Sequence, residues 1–206
     1  MPEKPEAPES PESPERKNRT LDARSLRGLA HPLRIRLLGA LRQDGPATAS
    51  QLAERFGESS GATSYHLRQL AAHGFVEDAP GHGKGRERWW KAAHDGTVFD
   101  EQLMYDEDPT TRDAADLFLH EIATIHTQEL NTWLGNAHAW SQEWRRGSDI
   151  SDFSLSLTPE QSLDLIRRVH DLINSYCDAP QDETSETVRF HVHAFPRRNG
   201  GGSSSA

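Results

Sequence analysis

Between residues 30 and 75 the chain is cut into three short helical pieces, and this spacing constrains the fold more than any other feature. Pro32 suits a first helical position, where its missing N–H costs nothing, and Leu33, Leu37, Leu38 and Leu41 give the segment an apolar face that Gly45-Pro46 ends. Thr48 is placed to N-cap a second piece carrying Leu52, Ala53 and Phe56, which stops at Gly57. A third piece runs from about Ser60 to His73 with Thr63, Leu67 and Leu70 inward, and Gly74 closes it. A short helix over 21–30 precedes them. Strands are predicted at Phe75–Ala79 and Arg86–Ala92, joined by Pro80-Gly81-His82-Gly83-Lys84-Gly85.

Helix–turn–helix followed by a basic hairpin is the layout of a winged DNA reader. The major groove admits a helix and presents a distinguishable donor and acceptor code. With Thr63, Leu67 and Leu70 inward, the third piece offers Gly61, Ser64, Tyr65 and Arg68 outward. Arg68 suits a guanine edge or a phosphate, Tyr65 a thymine methyl, and Ser59 and Ser60 the backbone at the helix start. Lys84, Arg86 and Arg88 in the hairpin suit the flanking backbone or minor groove. The net charge of −9 argues against nucleic acid until its distribution is considered: residues 20–94 hold eleven Lys/Arg against seven Asp/Glu, and residues 95–206 eight against twenty. Phosphate attraction acts over about a Debye length, so a locally basic segment suffices.

The stretch LAHPLRIRLLGALRQDGPATASQLAERFGESSGATSYHLRQLAAHGFVED resembles the winged helix of ArsR-type regulators. The shared features are Ala30-His31-Pro32 with Arg34, Ser64-Tyr65-His66-Leu67, and His73-Gly74-Phe75-Val76. The resemblance covers about residues 20–95. It implies a homodimer on a two-fold double-stranded DNA operator, often as a repressor released by an inducer, with Ser64 and its exposed neighbours facing DNA and His66 packing. The cysteine pair with which many such regulators sense metals is missing: that segment reads Ala49-Ser50-Gln51-Leu52-Ala53.

The remainder divides by composition. Residues 1–19 repeat Pro-Glu pairs and lack the apolar surface to offset ordering entropy, so a disordered tail is expected. Residues 96–148 hold a linker and a long helix opened by Asp108-Pro109. Its stripe of Leu119, Ile122, His126, Leu130, Trp133, Ala137, Trp140 and Trp144 reads as one continuous dimerisation face. Leu130, Trp133, Trp140 and Trp144 also offer a lining for a small apolar effector, the plainer reading being a dimer core. Residues 149–196 read as a small strand–helix–strand module, from the alternation of Phe153, Leu155 and Leu157, the Thr158-Pro159-Glu160-Gln161 capping box, and the alternation of Val188, Phe190, Val192 and Ala194. Residues 197–206 read as a flexible tail. The expected class is mainly α with small β content.

Other functions find less support. Cys177 is the sole cysteine, which excludes a disulfide framework or a cysteine cage. His120, His126, Glu129 and His138 lack the family's metal-ligand spacing, and His191 and His193 merely share a strand face, so neither metal nor cofactor is expected. No phosphate loop, nucleophile elbow or HExxH string occurs, and the glycine run at 81–85 joins two strands instead of opening a helix, so no enzyme is expected. No apolar run reaches the ~18 residues a membrane helix needs, and no signal sequence is evident, which leaves a cytoplasmic protein as the expectation. Two alternatives stay open: a winged-helix protein-interaction module, and an architectural binder without sequence preference.

Overall fold

The computed structural model describes residues 17–82 and 87–197. The chain is mainly helical with two small sheets. It divides into two compact units at Gly135/Asn136.

The first unit opens with β1 (Asn18–Thr20), followed by α1 (Ala23–Leu29) and α2 (Pro32–Gln43). Asp22 and Ser25 form a capping box on α1, and His31 caps α2 with its Nδ1 accepting from the Leu33 amide at 3.2 Å. β2 (Ala47–Thr48) leads into α3 (Ala49–Phe56). Thr48 and Gln51 form the second capping box, and Gly57 ends the helix at φ 67° and ψ 30°, the left-handed geometry glycine adopts without strain. α4 (Ser60–Ala72) follows, then β3 (Val76–Asp78), β4 (Trp89–Ala92) and β5 (Gly96–Val98). β2, β4 and β3 form one antiparallel sheet in that order, with Glu77 opposite Lys91 and Asp78 opposite Trp90.

β1 and β5 form a second, parallel pair that the sequence does not announce. Residues 18 and 19, expected in the disordered tail, are ordered by this strand; the Pro-Glu repeat itself lies outside the described residues. Three contacts hold it. The Lys17 amide donates to Asp95 at 2.8 Å, and Arg19 donates to the His73 carbonyl at 2.5 Å while its guanidinium lies 4.4 Å from the Phe75 ring centroid. Gly96 leaves room for the approach, since a Cβ there would meet Asn18 Oδ1 at 2.3 Å.

α5 (Pro109–Asn136) completes the unit. Its first half supplies Thr111, Ala114, Ala115 and Phe118 to the core that Leu26, Leu29, Leu37, Leu67, Leu70 and Phe75 fill. Phe99 and Phe118 stack with centroids 5.7 Å apart. Leu119, Ile122 and Ile125 are half-buried against the same core, whereas Leu130 and Leu134 are exposed. The stripe expected to continue through Trp144 is not one helix. α5 stops at Asn136, a 3₁₀ turn covers Ala137–Ala139, and α6 (Gln142–Arg146) restarts under a Ser141 N-cap. Gly135-Asn136 are weak helix formers, and a serine that caps a new helix cannot also continue the old one. Leu130 and Trp133 therefore sit on a different helix from Trp144, and the four residues offered for an effector do not share a helical face.

In the second unit, Trp140 and Trp144 meet edge to face at 6.4 Å. α7 (Pro159–Asn174) carries the expected capping box, with Thr158 Oγ1 accepting from the Gln161 amide at 3.2 Å. The two flanking strands of the expected strand–helix–strand module are not formed: residues 151–158 and 186–197 belong to no β-ladder. Alternation prescribes which side chains share a face, but a strand exists only where a neighbour completes its hydrogen bonds.

Candidate nucleic-acid interface

The candidate reading head is α4, held by the turn after α3. Ser59 adopts an extended backbone (φ −78°, ψ 145°) and its Oγ accepts from the Ala62 amide at 3.1 Å. Ser59 thus fixes the helix start, while the amides of Ser60 and Gly61 stand in the first turn, where the helix dipole favours a phosphate. Thr63, Leu67 and Leu70 are fully buried, which fixes the rotation of the helix and presents Tyr65 and Arg68 to solvent. Tyr65 is 53% exposed and meets His66 edge to face at 5.2 Å. Ser64 is half-buried beside it. Arg68 forms no ion pair with any described residue, unlike Arg55, which pairs with Asp44. Ser59, Ser60, Gly61, Ser64, Tyr65 and Arg68 are therefore brought together along one helix.

The wing residues separate. Arg88 lies just before β4 and its guanidinium is engaged, with Nε donating to Asp78 Oδ1 at 2.5 Å, Nη2 to Oδ2 at 3.2 Å, and the group lying 3.9 Å from the Trp90 ring centroid. Lys91 pairs with Glu77 at 2.9 Å. These pairs are solvent-exposed and contribute little to stability, so a phosphate can compete for them. Lys84 and Arg86 lie outside the described residues.

Behind α4 is a polar cluster whose grouping sequence reading missed. The His31 and His66 rings lie in contact with centroids 4.3 Å apart and their planes tilted by 38°. Thr63 Oγ1, His66 Nδ1 and Arg34 Nε are buried with no hydrogen-bond partner among the described residues. The sequence signal was present in Ala30-His31-Pro32 and Tyr65-His66, but the contact joins residues 35 positions apart.

Burial holds His31, His66, His73 and His94 below the usual histidine range. Arg34 adds a like charge against His31, opposed by Glu58 and Glu121, and His31 and Arg34 likewise act against a charge on His66. A histidine that resists protonation when folded lets the unfolded chain take up protons first as pH falls. Stability is then complete above about pH 6.5 and declines from there down to the depressed folded values. Protonation also turns His31 Nδ1 from acceptor to donor and breaks the α2 cap. We expect the melting temperature to fall between pH 7.5 and 5.5, and to fall less in His66→Leu. A melting temperature that is flat or rises on acidification over this window would contradict the burial argument. The hydrogen-bonded carboxylates act in the same direction at lower pH, because hydrogen bonds from Ser25 chiefly hold the Asp22 carboxyl below the usual carboxylate range.

Of the residues weighed as metal ligands, Glu129 accepts from Gln43 Nε2 at 3.1 Å. Among the described residues no three His, Cys, Asp or Glu side chains group to hold an ion, and no helix is long and apolar enough to cross a membrane.

Comparison with known proteins supports the reading of this segment. Residues 29–79, a quarter of the chain, match a family model described as a helix-turn-helix domain. None of the curated proteins matches. Solved structures similar to the chain include an ArsR family transcriptional regulator at 23% identity, covering 52% of this chain and 96% of that one with a TM-score of 0.29. RV1404 from Mycobacterium tuberculosis is 15% identical over 77% of this chain and 84% of that one, with a TM-score of 0.30. An apo-form mutant of Lactococcus lactis ZitR is 14% identical over 74% and 82%, with a TM-score of 0.29. The match of residues 29–79 coincides with α2 through β3.

Proposed function

We propose that residues 29–79, which match a helix-turn-helix domain model, are the DNA-binding unit of an ArsR-type transcriptional regulator, and that the chain is a homodimeric, sequence-specific repressor without cysteine-based metal sensing. The observation that carries the DNA-reading half is the exposed face of α4. An arginine with no ion pair among the described residues stands beside an exposed tyrosine on a helix whose opposite face is fully buried. Each protomer places one α4 in a major groove, with Arg68 and Tyr65 at base edges, Ser64 beside them, and Ser59, Ser60 and Gly61 at the phosphates. Lys84, Arg86 and Arg88 meet the flanking backbone, and Arg88 must first exchange Asp78 for phosphate. The exposed Leu130 and Leu134, on the half of α5 that leaves its own core, support a helix-mediated dimer. Cys177, the sole cysteine, lies in the turn after α7 with its Sγ 4.0 Å from the Ile173 carbonyl.

The test is selection from a random-sequence DNA pool, with the salt dependence measured on the winner. An inverted repeat is expected, with half-sites one helical turn apart or a multiple of it and an affinity that falls steeply with salt. Enrichment of nothing, with weak binding at physiological salt, makes the winged helix a protein-interaction module instead. Tight binding without sequence preference makes it an architectural one.

A further inference from the structure

Residues 136–197 hold no buried residue, and of the nineteen exposed large hydrophobic residues in the described chain, twelve lie between Ile150 and Phe195. Phe153 is 84% exposed, Phe195 79%, Tyr176 70% and Phe190 68%. Soluble monomers rarely leave such density uncovered.

Two features identify what covers it. The first is the width of the apolar arc on α7. Ile166, Val169 and Ile173 form one half-buried line, while Leu165 and Leu172 form an exposed line about a quarter-turn away, with Leu163 exposed on the other flank. At 100° per residue these lines span about half of the helix circumference, against the roughly 100° stripe that one core requires. The helix is built to meet a second apolar surface. The second feature is the pair of extended segments on either side of it. One carries Phe153, Leu155 and Leu157 on one face and Asp152, Ser154 and Ser156 on the other. The other carries Val188, Phe190, Val192 and Ala194 opposite Arg189, His191 and His193. The two match face for face, apolar to apolar and acidic or neutral to basic, as cross-strand pairing requires. Within one chain they form no ladder. A two-stranded sheet on one helix would also leave the second line of α7 bare, and two strands alone are marginal in water.

We propose that residues 149–196 form a second dimer interface, in which the segment 153–157 of one copy pairs with the segment 188–194 of a second copy of this chain. Two copies supply four strands and two helices, enough to give each strand a neighbour and each α7 a second apolar surface. The interface is separate from the one formed by α5 and does not depend on DNA recognition. Acidic residues outnumber basic ones over 136–197, which makes this unit a poor nucleic-acid surface.

The full-length chain carrying Cys177→Ser, Ser154→Cys and His191→Cys, labelled at both new thiols with pyrene maleimide, tests the pairing by excimer fluorescence. We expect an excimer that falls about tenfold when labelled chains are re-equilibrated with a tenfold excess of unlabelled chains, following the fraction of labelled partners. An excimer that survives dilution shows the segments pairing within one chain and overturns the proposal, as does the absence of any excimer. Hydrogen exchange on the unsubstituted chain guards against damage by the labels. Slowed amides over 153–157 and 188–194 are expected, and exchange at the rate of an open coil overturns the pairing. A gel shift with the selected operator reports on the winged helix alone, so loss of either proposal leaves the other standing.

Discussion

Arg68→Ala is expected to weaken binding to the selected operator by about 1–3 kcal/mol, roughly 5- to 150-fold in affinity, while binding to unrelated DNA changes little. Arg68 is on the exposed face of α4, forms no ion pair with any described residue, and follows Leu67, whose complete burial fixes the direction in which Arg68 points. A guanidinium across a guanine edge makes two parallel hydrogen bonds, and its loss removes discrimination at one base position. Competition binding with operators substituted at each position measures this directly. Relaxed specificity at a single position places Arg68 on a base. An equal loss on every sequence, with a shallower salt slope, makes it a phosphate contact. No loss on any sequence removes α4 from the major groove. Because Arg68 is exposed, the melting temperature should not move, which separates this outcome from unfolding.

The reading head is legible in the sequence because its boundaries are written in local chemistry. Thr48 and Gln51 satisfy each other's backbone partners within four residues, Pro32 occupies a position that tolerates it, and Gly57 takes a conformation other residues avoid. The inward set of Thr63, Leu67 and Leu70 follows from helical periodicity and is fully buried. Where partners are distant, periodicity carries no information. β1 has three residues and exists through a parallel neighbour and contacts some 54 to 78 positions away, to His73 and Asp95. The His31–His66 contact depends on how the start of α2 meets α4, which neither segment encodes alone. The break at Asn136 was also visible in Gly135-Asn136 and Ser141, but an uninterrupted apolar spacing outweighed those breakers. In the C-terminal segments the alternation is plain and the ladder is missing. Pattern specifies the face of a strand, whereas its partner is a property of the assembly.

Leu67→Ala, one position away from Arg68, is expected to produce the opposite phenotype. Leu67 is 0% exposed and sits in the core formed by α1, α2, α4 and the first half of α5. Truncating it removes buried methyl groups and leaves a cavity, at a cost of about 2–5 kcal/mol. For a unit of this size that corresponds to a fall in melting temperature of about 10 °C or more. The neighbourhood is a poor place to absorb the loss, because Thr63 Oγ1, one turn away on the same buried face, already has no hydrogen-bond partner among the described residues. The side chain that pins the helix rotation touches no DNA, so operator affinity per folded molecule should change less than in Arg68→Ala at a temperature well below the transition. Thermal melts with binding measured at 10 °C separate the two effects. A melting temperature within a degree or two of the unsubstituted chain would place Leu67 outside the core, and with it the rotation of α4 that turns Tyr65 and Arg68 toward the groove.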